Sequence, residues 1–209
     1  MKLSIIIVNY KSSLFIKDCL QSAIAFESYK DFEWIIVDND SKDQSKEILL
    51  TEFPFIHWHD MGYNAGFARA NNAGIKLAEG ESILLLNPDT IILNDAINIC
   101  LQEFSKSVNV ACGVQMLNPD LSPQISGNHF MKGGLNHLLP LPYWGGLLKW
   151  IAGLFKIQKP SIEIASSIEI VDWISGAFLM IKRDALQKSG LMDEDFFLYA
   201  EEVEWCSRI

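Results

Sequence analysis

Ser82-Ile83-Leu84-Leu85-Leu86-Asn87-Pro88-Asp89 decides how this chain folds. A short, unbroken apolar run reads as a strand covered on both faces, as in a parallel sheet. It stops at three turn-forming residues, the last a carboxylate. Open α/β sheets place ligands in the crevice beyond the carboxyl ends of such strands. Ile91, Ile92 and Leu93 follow at once and hold the tip between two apolar anchors, ahead of a helical pattern from Asn94 to Phe104. Taken alone, Asn87-Pro88-Asp89 fits a plain turn as well as a ligand-binding tip.

Leu3 to Val8 and Trp34 to Val37 are runs of the same kind, and Ile56 to Trp58 is a shorter one. Leu14 to about Phe26 carries Ile16, Leu20 and Ile24 at four-residue spacing, with Ser12 or Ser13 as the expected helix cap. Ser41 is the expected cap of a further element containing Ile48, Leu49 and Leu50. Asn64 to Ala78 is Ala-rich and helical, stopped by Gly80, and Val108 to Gln115 reads as one more strand before a turn at Asn118-Pro119-Asp120. Strands alternating with helices predict an α/β fold with a mostly parallel central sheet flanked by helices. Three strands end in polar clusters: Asn9-Tyr10, Asp38-Asn39-Asp40 and Asn87-Pro88-Asp89. In a parallel sheet these lie on one edge, which shifts the balance toward a ligand-binding edge.

The chain has 209 residues, enough for one domain with a sizeable core. Its net charge of −9 argues against a nucleic-acid partner, which needs a basic face. The four cysteines show no CxxC spacing, so neither a zinc site nor a disulfide framework is indicated, and a reduced, cytoplasmic interior fits best. No stretch approaches the roughly 20 apolar residues of a membrane span. Residues 121–162 differ from the rest: they hold no acidic residue and carry Lys132, Lys149, Lys156 and Lys159. Leu147, Trp150, Ile151, Leu154 and Phe155 share one helical face there. Such a stretch fits a helix docked on the sheet or one resting peripherally on an anionic membrane surface.

A GxGxxG or GxxxxGK[ST] loop is absent, which disfavours a dinucleotide dehydrogenase, a P-loop enzyme and a nucleotidyltransferase. Asp38 is suited to accept a hydrogen bond from a base imide, or to cap a helix at Lys42 to Leu50. Gly62-Tyr63-Asn64-Ala65-Gly66 allows close backbone approach at a helix start, where anions are favoured, and Arg69 suits a phosphate or a surface carboxylate. Asp89 suits a divalent cation, Mg²⁺ or Mn²⁺, shared with the oxygens of a diphosphate. His57 and His59 share a face of a strand, but two histidines without a further ligand fall short of a metal site. Asp193, Glu194, Asp195, Glu201, Glu202 and Glu204 form an acidic run interleaved with Phe196, Phe197, Leu198, Tyr199, Val203 and Trp205. A charge run is usually a solvated face, but the aromatics suggest partial burial, which raises a carboxyl pKa toward the range of a general base.

Together these segments resemble the family 2 glycosyltransferases of GT-A fold. The resemblance is carried by Ile6-Ile7-Val8-Asn9-Tyr10, Val37-Asp38-Asn39-Asp40-Ser41, Asn64-Ala65-Gly66-Phe67-Ala68 through Asn71-Asn72-Ala73-Gly74, Leu86-Asn87-Pro88-Asp89, Ser175-Gly176-Ala177, and Gly190 through Arg208. The Asn-Pro-Asp form and the Asn71-Asn72 pair look most like a rhamnosyltransferase-like branch. The resemblance implies an inverting transfer of a sugar, rhamnose in that branch, from a nucleoside-diphosphate donor. The implied acceptor is a hydroxyl of a cell-surface polysaccharide or a lipid-linked glycan, met at the cytoplasmic face of the membrane. It implies that Asn9 and Asp38 hold the base, that Asn64 and Asn71 lie along the nucleotide, and that Ser175 and Gly176 border the reacting centre. Asp89 matches the metal-binding Asp of a DxD motif whose first Asp is replaced by Asn87. Glu202 stands where the family has its catalytic Asp, so the implied base is one methylene longer, or is shared with Glu201. The expected organisation is one domain over 1–209, with a nucleotide-sugar half over 1–117 and an acceptor half over 118–209. Family members usually continue past the position of Ile209, so the resemblance reads the chain as C-terminally truncated. A non-catalytic nucleotide-sugar-binding module is the second reading.

Overall fold

Leu3–Asn9 forms β1 near the centre of a six-stranded sheet, and Leu3, Ile5, Ile6 and Ile7 have no exposed surface. The computed structural model describes residues 2–130 and 167–209. The amphipathic stretch at 146–157 lies outside the described residues. The chain divides into two units, Met1–Val114 with Ile174–Ile209, and Gln115–Trp173.

In chain order the first unit runs β1, α1 (Ser13–Ile24), a 3-10 turn (Glu27–Asp31), β2 (Phe32–Asp38), α2 (Ser45–Glu52) and β3 (Ile56–Asp60). Then come α3 (Phe67–Leu77), β4 (Ser82–Leu86), α4 (Ala96–Lys106) and β5 (Ala111–Cys112). The second unit contains the hairpin of β6 (Met116–Leu117) and β7 (Pro123–Gln124), then β8 (Gly127–Asn128). Its turn is held by Leu121 N–H donating to the Asn118 carbonyl at 2.8 Å. After β9 (Trp173–Ile174) the chain adds β10 (Phe178–Lys182), α5 (Arg183–Ser189) and α6 (Glu201–Arg208) to the first unit.

The sheet order is β3-β2-β1-β4-β10-β5. The first four strands are parallel, while β10 is antiparallel to both β4 and β5. The expected mostly parallel α/β sheet is therefore what forms. Because β4 returns to the far side of β1, the direction of winding reverses between β1 and β4. Their carboxyl ends make the crevice that such a reversal opens.

Side chains alternate across the sheet. Ile6, Ile35, Val37, Ile83, Leu85, Leu179 and Ile181 form one core with α3, Ala185, Leu186, Met192 and Trp205. Each Val, Leu, Ile or Met among them contributes about 1.5–3 kcal/mol by leaving water. Gly74 lets α3 sit close on this face. A Cβ there would stand 2.5 Å from Ile6 Cγ2 and 3.1 Å from Val37 Cγ2. The helical penalty of about 1 kcal/mol for glycine is offset by that approach. Arg183 closes the other end of α3, donating to the carbonyls of Ala78 and Gly80, each at 2.6 Å.

Two local expectations are corrected. The strand expected over Val108 to Gln115 shrinks to Ala111–Cys112. Val108 is almost fully exposed, and Gly113 turns against Ile174, whose Cγ2 would lie 2.5 Å from an added Cβ. Ser41 does not cap α2, which begins at Ser45 behind Asp43, whose carboxylate accepts the Ser45 N–H at 2.9 Å. The Ser41 hydroxyl is instead engaged at the strand tips.

Candidate active site

The tips of β1 and β2 are laced together by Asn9. Its Nδ2 donates to Asp38 Oδ1 at 2.7 Å and to Ser41 Oγ at 3.0 Å. Its Oδ1 accepts from Ser12 N–H at 3.1 Å and from Ser12 Oγ at 3.0 Å. The second Asp38 oxygen accepts the Ser41 N–H at 3.1 Å, and Ser41 Oγ accepts the Lys11 N–H at 2.9 Å. Asn9 is fully buried, and neither it nor Asp38 lines the pocket at this edge. The structure thus places the pair behind the pocket wall rather than in its lining. Their side chains are engaged with Ser12 and Ser41, and they fix the loop around the site.

That pocket has a volume of about 610 Å³. One wall is Val8, Tyr10, Ser12 and Phe15 after β1, with Asn39 after β2 and Asn64 and Gly66 before α3. Asn39 organises this wall. Its Oδ1 accepts the Ala65 N–H at 2.8 Å, and its Nδ2 donates to Asn64 Oδ1 at 3.0 Å. Asn64 Oδ1 also accepts the Gly66 N–H at 3.2 Å. Asn71 lies outside the lining. It is 1% exposed, with its amide donating to the Phe67 carbonyl one turn back at 3.0 Å. Arg69 leans toward Glu194, with Nε and the carboxylate 3.6 Å apart, and is not in the lining.

Asn87, Pro88 and Asp89 form the floor beyond β4. The tip is a built turn: Thr90 Oγ1 donates to the Asn87 carbonyl at 2.8 Å. Asn87 N–H donates to the Ala177 carbonyl at 3.0 Å, which brings Ser175, Gly176 and Ala177 alongside as lining residues. The Asp89 carboxylate is exposed and makes no hydrogen bond or ion pair among the described residues. No group of three or more His, Cys, Asp and Glu side chains that could hold a metal occurs among the described residues, His57 and His59 included. A free carboxylate in an open pocket does fit a hard cation that takes its remaining ligands from a diphosphate and water.

The opposite wall comes from the C-terminal run. Phe197, Leu198, Tyr199, Glu201 and Glu202 all line the pocket. The loop carrying them is fastened at several points. Asn72 holds Met192 through both its backbone groups, at 2.9 and 3.1 Å. Trp205, fully buried, donates from Nε1 to the Gly190 carbonyl at 2.9 Å. Arg208 donates to the carbonyls of Ser189 and Leu191 at 2.5 and 2.9 Å. At the loop's far end the Phe197 carbonyl accepts the Phe67 N–H, the first of α3, at 2.8 Å. Tyr199 and Ala200 then take left-handed backbone conformations, φ 70° and 72°, and turn the start of α6 inward.

The adjacent acids Glu201 and Glu202 meet different surroundings. Glu201 is 3% exposed, and its Oε2 has no hydrogen-bond partner among the described residues. Burial pushes its carboxyl pKa above the ordinary value, and the charge of Glu202 adds to the shift. Glu202 is half-buried and faces Gly176, where an added Cβ would lie 3.8 Å from its own. Asn64, Asn87, Asp89, Ser175, Gly176, Glu201 and Glu202 are thus brought together as expected. Asn39, Tyr10, Phe15 and Phe67 were not anticipated as site residues. Asn39 and Tyr10 were legible as members of the strand-tip clusters; Phe15 and Phe67 carry only the general signal of an aromatic at a helix start.

An α/β sheet with a carboxylate-bearing crevice at its winding reversal, faced by an acidic helix start, is the architecture of an α/β domain that takes its ligand at the carboxyl edge of the sheet. Residues 4–189 match the profile described as glycosyl transferase family 2, and the chain belongs to that family. It is 32% identical over 211 residues to the low-salt glycan biosynthesis hexosyltransferase Agl10 of Haloferax volcanii, covering 99% of this chain and 61% of that protein. Among solved structures it is similar to S. aureus TarS 1–349 in complex with UDP-GlcNAc, with TM-score 0.67 and 17% identity over 100% of this chain and 53% of that one. It is also similar to the mannosyltransferase PcManGT of Pyrobaculum calidifontis in complex with GDP-Man and Mn²⁺, with TM-score 0.64 and 14% identity over 97% and 50%. These likenesses are to GT-A glycosyltransferases and match the sheet described above. The chain spans about half to three-fifths of the length of these relatives.

Proposed function

We propose that the chain is the donor-binding and catalytic domain of an inverting glycosyltransferase. It moves a sugar from a nucleoside diphosphate to a hydroxyl of a growing polysaccharide or lipid-linked glycan. One observation carries this reading. A single pocket brings Asn39, Asn64 and Asp89 from the strand-tip side against Glu201 and Glu202 from the helix side. The first group suits a nucleotide and its diphosphate; the second suits an acceptor hydroxyl.

In this reading the acceptor oxygen attacks the anomeric carbon as the bond to the diphosphate oxygen breaks. Its proton passes to a carboxylate. Glu202 is that base, because it is partly exposed and faces Gly176, whereas Glu201 is buried and held toward its neutral form. A positioned base contributes roughly 10²–10⁴-fold. Asp89 would hold Mg²⁺ or Mn²⁺, which supplies charge neutralisation to the leaving diphosphate. The Mn²⁺ named in the PcManGT complex supports that choice. The name of the Haloferax relative supports a hexose as cargo and a glycan as acceptor. Rhamnose on deoxythymidine diphosphate is the first donor to test, from the Asn87-Pro88-Asp89 and Asn71-Asn72 resemblance. The reading puts the reaction at the cytoplasmic face of the membrane, with residues 146–157 as the peripheral contact. No helix among the described residues is long and apolar enough to cross a membrane.

The test is a panel of nucleoside-diphosphate sugars assayed for donor hydrolysis and transfer, with and without Mn²⁺, on wild type and Glu202→Gln. Metal-stimulated turnover with one donor, lost in Glu202→Gln with donor binding intact, supports the reading. Donor binding without turnover in every case returns the protein to the non-catalytic reading.

A further inference from the structure

Two thiols that the site does not use stand together between a helix and the edge strand of the sheet. Cys100 lies on α4 and Cys112 on β5, with Sγ atoms 3.5 Å apart. Both are half-buried, so a small oxidant can reach them. Cys112 is in register with Met180 of β10, and the ammonium of Lys182 at the end of that strand adds positive charge near it. The other two cysteines are differently placed. Cys19 is fully buried against Thr90, its pKa pushed up to about 11 by burial, and Cys206 is also raised by burial. The contact between the two sulfurs lowers the Cys100 pKa and raises that of Cys112, which burial raises further, so Cys100 is the more readily ionised of the two.

We propose that Cys100 and Cys112 form a reversible dithiol–disulfide site, oxidised by small-molecule disulfides such as oxidised glutathione. The Cys100 thiolate attacks one sulfur of the oxidant and expels the first glutathione thiolate. The Cys112 thiolate then attacks Cys100 Sγ in the mixed disulfide and expels the second. Two protein thiols are oxidised, one glutathione disulfide is reduced to two glutathiones, and the protons pass to the leaving thiolates. The bond would tie α4 to the edge strand β5, and through β10 to the segment that carries Ser175 to Ala177. The inference does not depend on the proposed transfer reaction.

The test uses the full chain incubated with oxidised glutathione, followed by thiol counting and tryptic mapping. Lys106 lies between the two cysteines, so cleavage there leaves them on separate peptides. Titratable thiols should fall from four to two, with the Cys100 and Cys112 peptides recovered as one disulfide-linked species that dithiothreitol separates. Closing this short loop should raise the melting temperature by about 5–10 °C, and Cys100→Ser should abolish both effects. Retention of all four thiols overturns the proposal. So does recovery of mixed glutathione disulfides only, or a linked species involving Cys19 or Cys206.

Discussion

Gly66→Ala probes how the two walls of the pocket are held together. Gly66 has φ +83°, and an added Cβ would meet the Phe197 carbonyl oxygen at 2.6 Å and Phe197 Cδ2 at 2.8 Å. The first contact is with backbone, so rotamer change cannot relieve it. Gly62 has a similar φ, +77°, with nothing within 4 Å of an added Cβ. Gly62→Ala therefore reports the cost of a left-handed conformation alone, about 1–2 kcal/mol less the smaller unfolded-state entropy of Ala. Gly66→Ala bears at least that strain, since its φ of 83° is paired with ψ 175°, a region nearly confined to glycine, and it must also displace Phe197, losing the hydrogen bond from Phe67 N–H at 2.8 Å. The bond is worth about 0.5–1.5 kcal/mol, and the displaced loop contacts bring the extra cost to about 2 kcal/mol. In thermal denaturation Gly66→Ala should melt about 4–8 °C below Gly62→Ala. Because Phe197 leads directly to Tyr199 and Glu201, nucleotide-sugar turnover should fall in Gly66→Ala and hold in Gly62→Ala. Equal melting temperatures for the two variants, with equal turnover, would refute this coupling of α3 to the acidic loop.

Glu201→Gln should change the pH dependence of stability. The folded-state pKa of Glu201 is raised, so its stabilising contribution is present below the unfolded carboxyl value and is lost as pH rises through the folded one. Urea midpoints of wild type and Glu201→Gln should therefore diverge in favour of Gln as pH rises from about 4; a pH-independent difference would show that Glu201 titrates normally. Trp205→Phe keeps an aromatic ring in the core but loses the 2.9 Å bond to the Gly190 carbonyl. It should cost about 1–3 kcal/mol, read as a lower urea midpoint. Glu202→Gln should lower kcat by roughly 10²–10⁴-fold with little change in donor KM; a comparable rise in donor KM would make it a binding residue instead.

The sheet was legible because its strands are covered on both faces. Leu3 to Val8 and Ser82 to Leu86 admit few readings once length and branching are weighed. The polar tips were legible as a shared edge for the same reason, since parallel strands place their ends together. What the pattern could not convey is which member of each tip turns into the crevice. Asn9 and Asp38 carry suitable groups, but they spend them on Ser12 and Ser41. Asn39, one residue on, receives the pocket-facing position because its own side chain reaches Asn64 and the Ala65 N–H. Asn71 and Asn72 look equivalent in sequence. On α3 they point about 100° apart, and Asn72 goes to the Met192 backbone while Asn71 turns back onto its own helix. The difference between Glu201 and Glu202 was likewise hidden, because it rests on the left-handed turn at Tyr199 and Ala200 rather than on residue type.

The central claim is that the crevice floor at Asp89 receives the diphosphate of a nucleotide sugar together with a divalent cation. Calorimetric titration of nucleoside diphosphates into the protein, with and without Mn²⁺, on wild type and Asp89→Ala, tests it most directly. The account predicts binding by wild type that strengthens at least about tenfold with Mn²⁺, or about 1.4 kcal/mol, and an Asp89→Ala variant that no longer responds to the metal. Binding that is equally tight with and without Mn²⁺, or a metal response that survives Asp89→Ala, would contradict it.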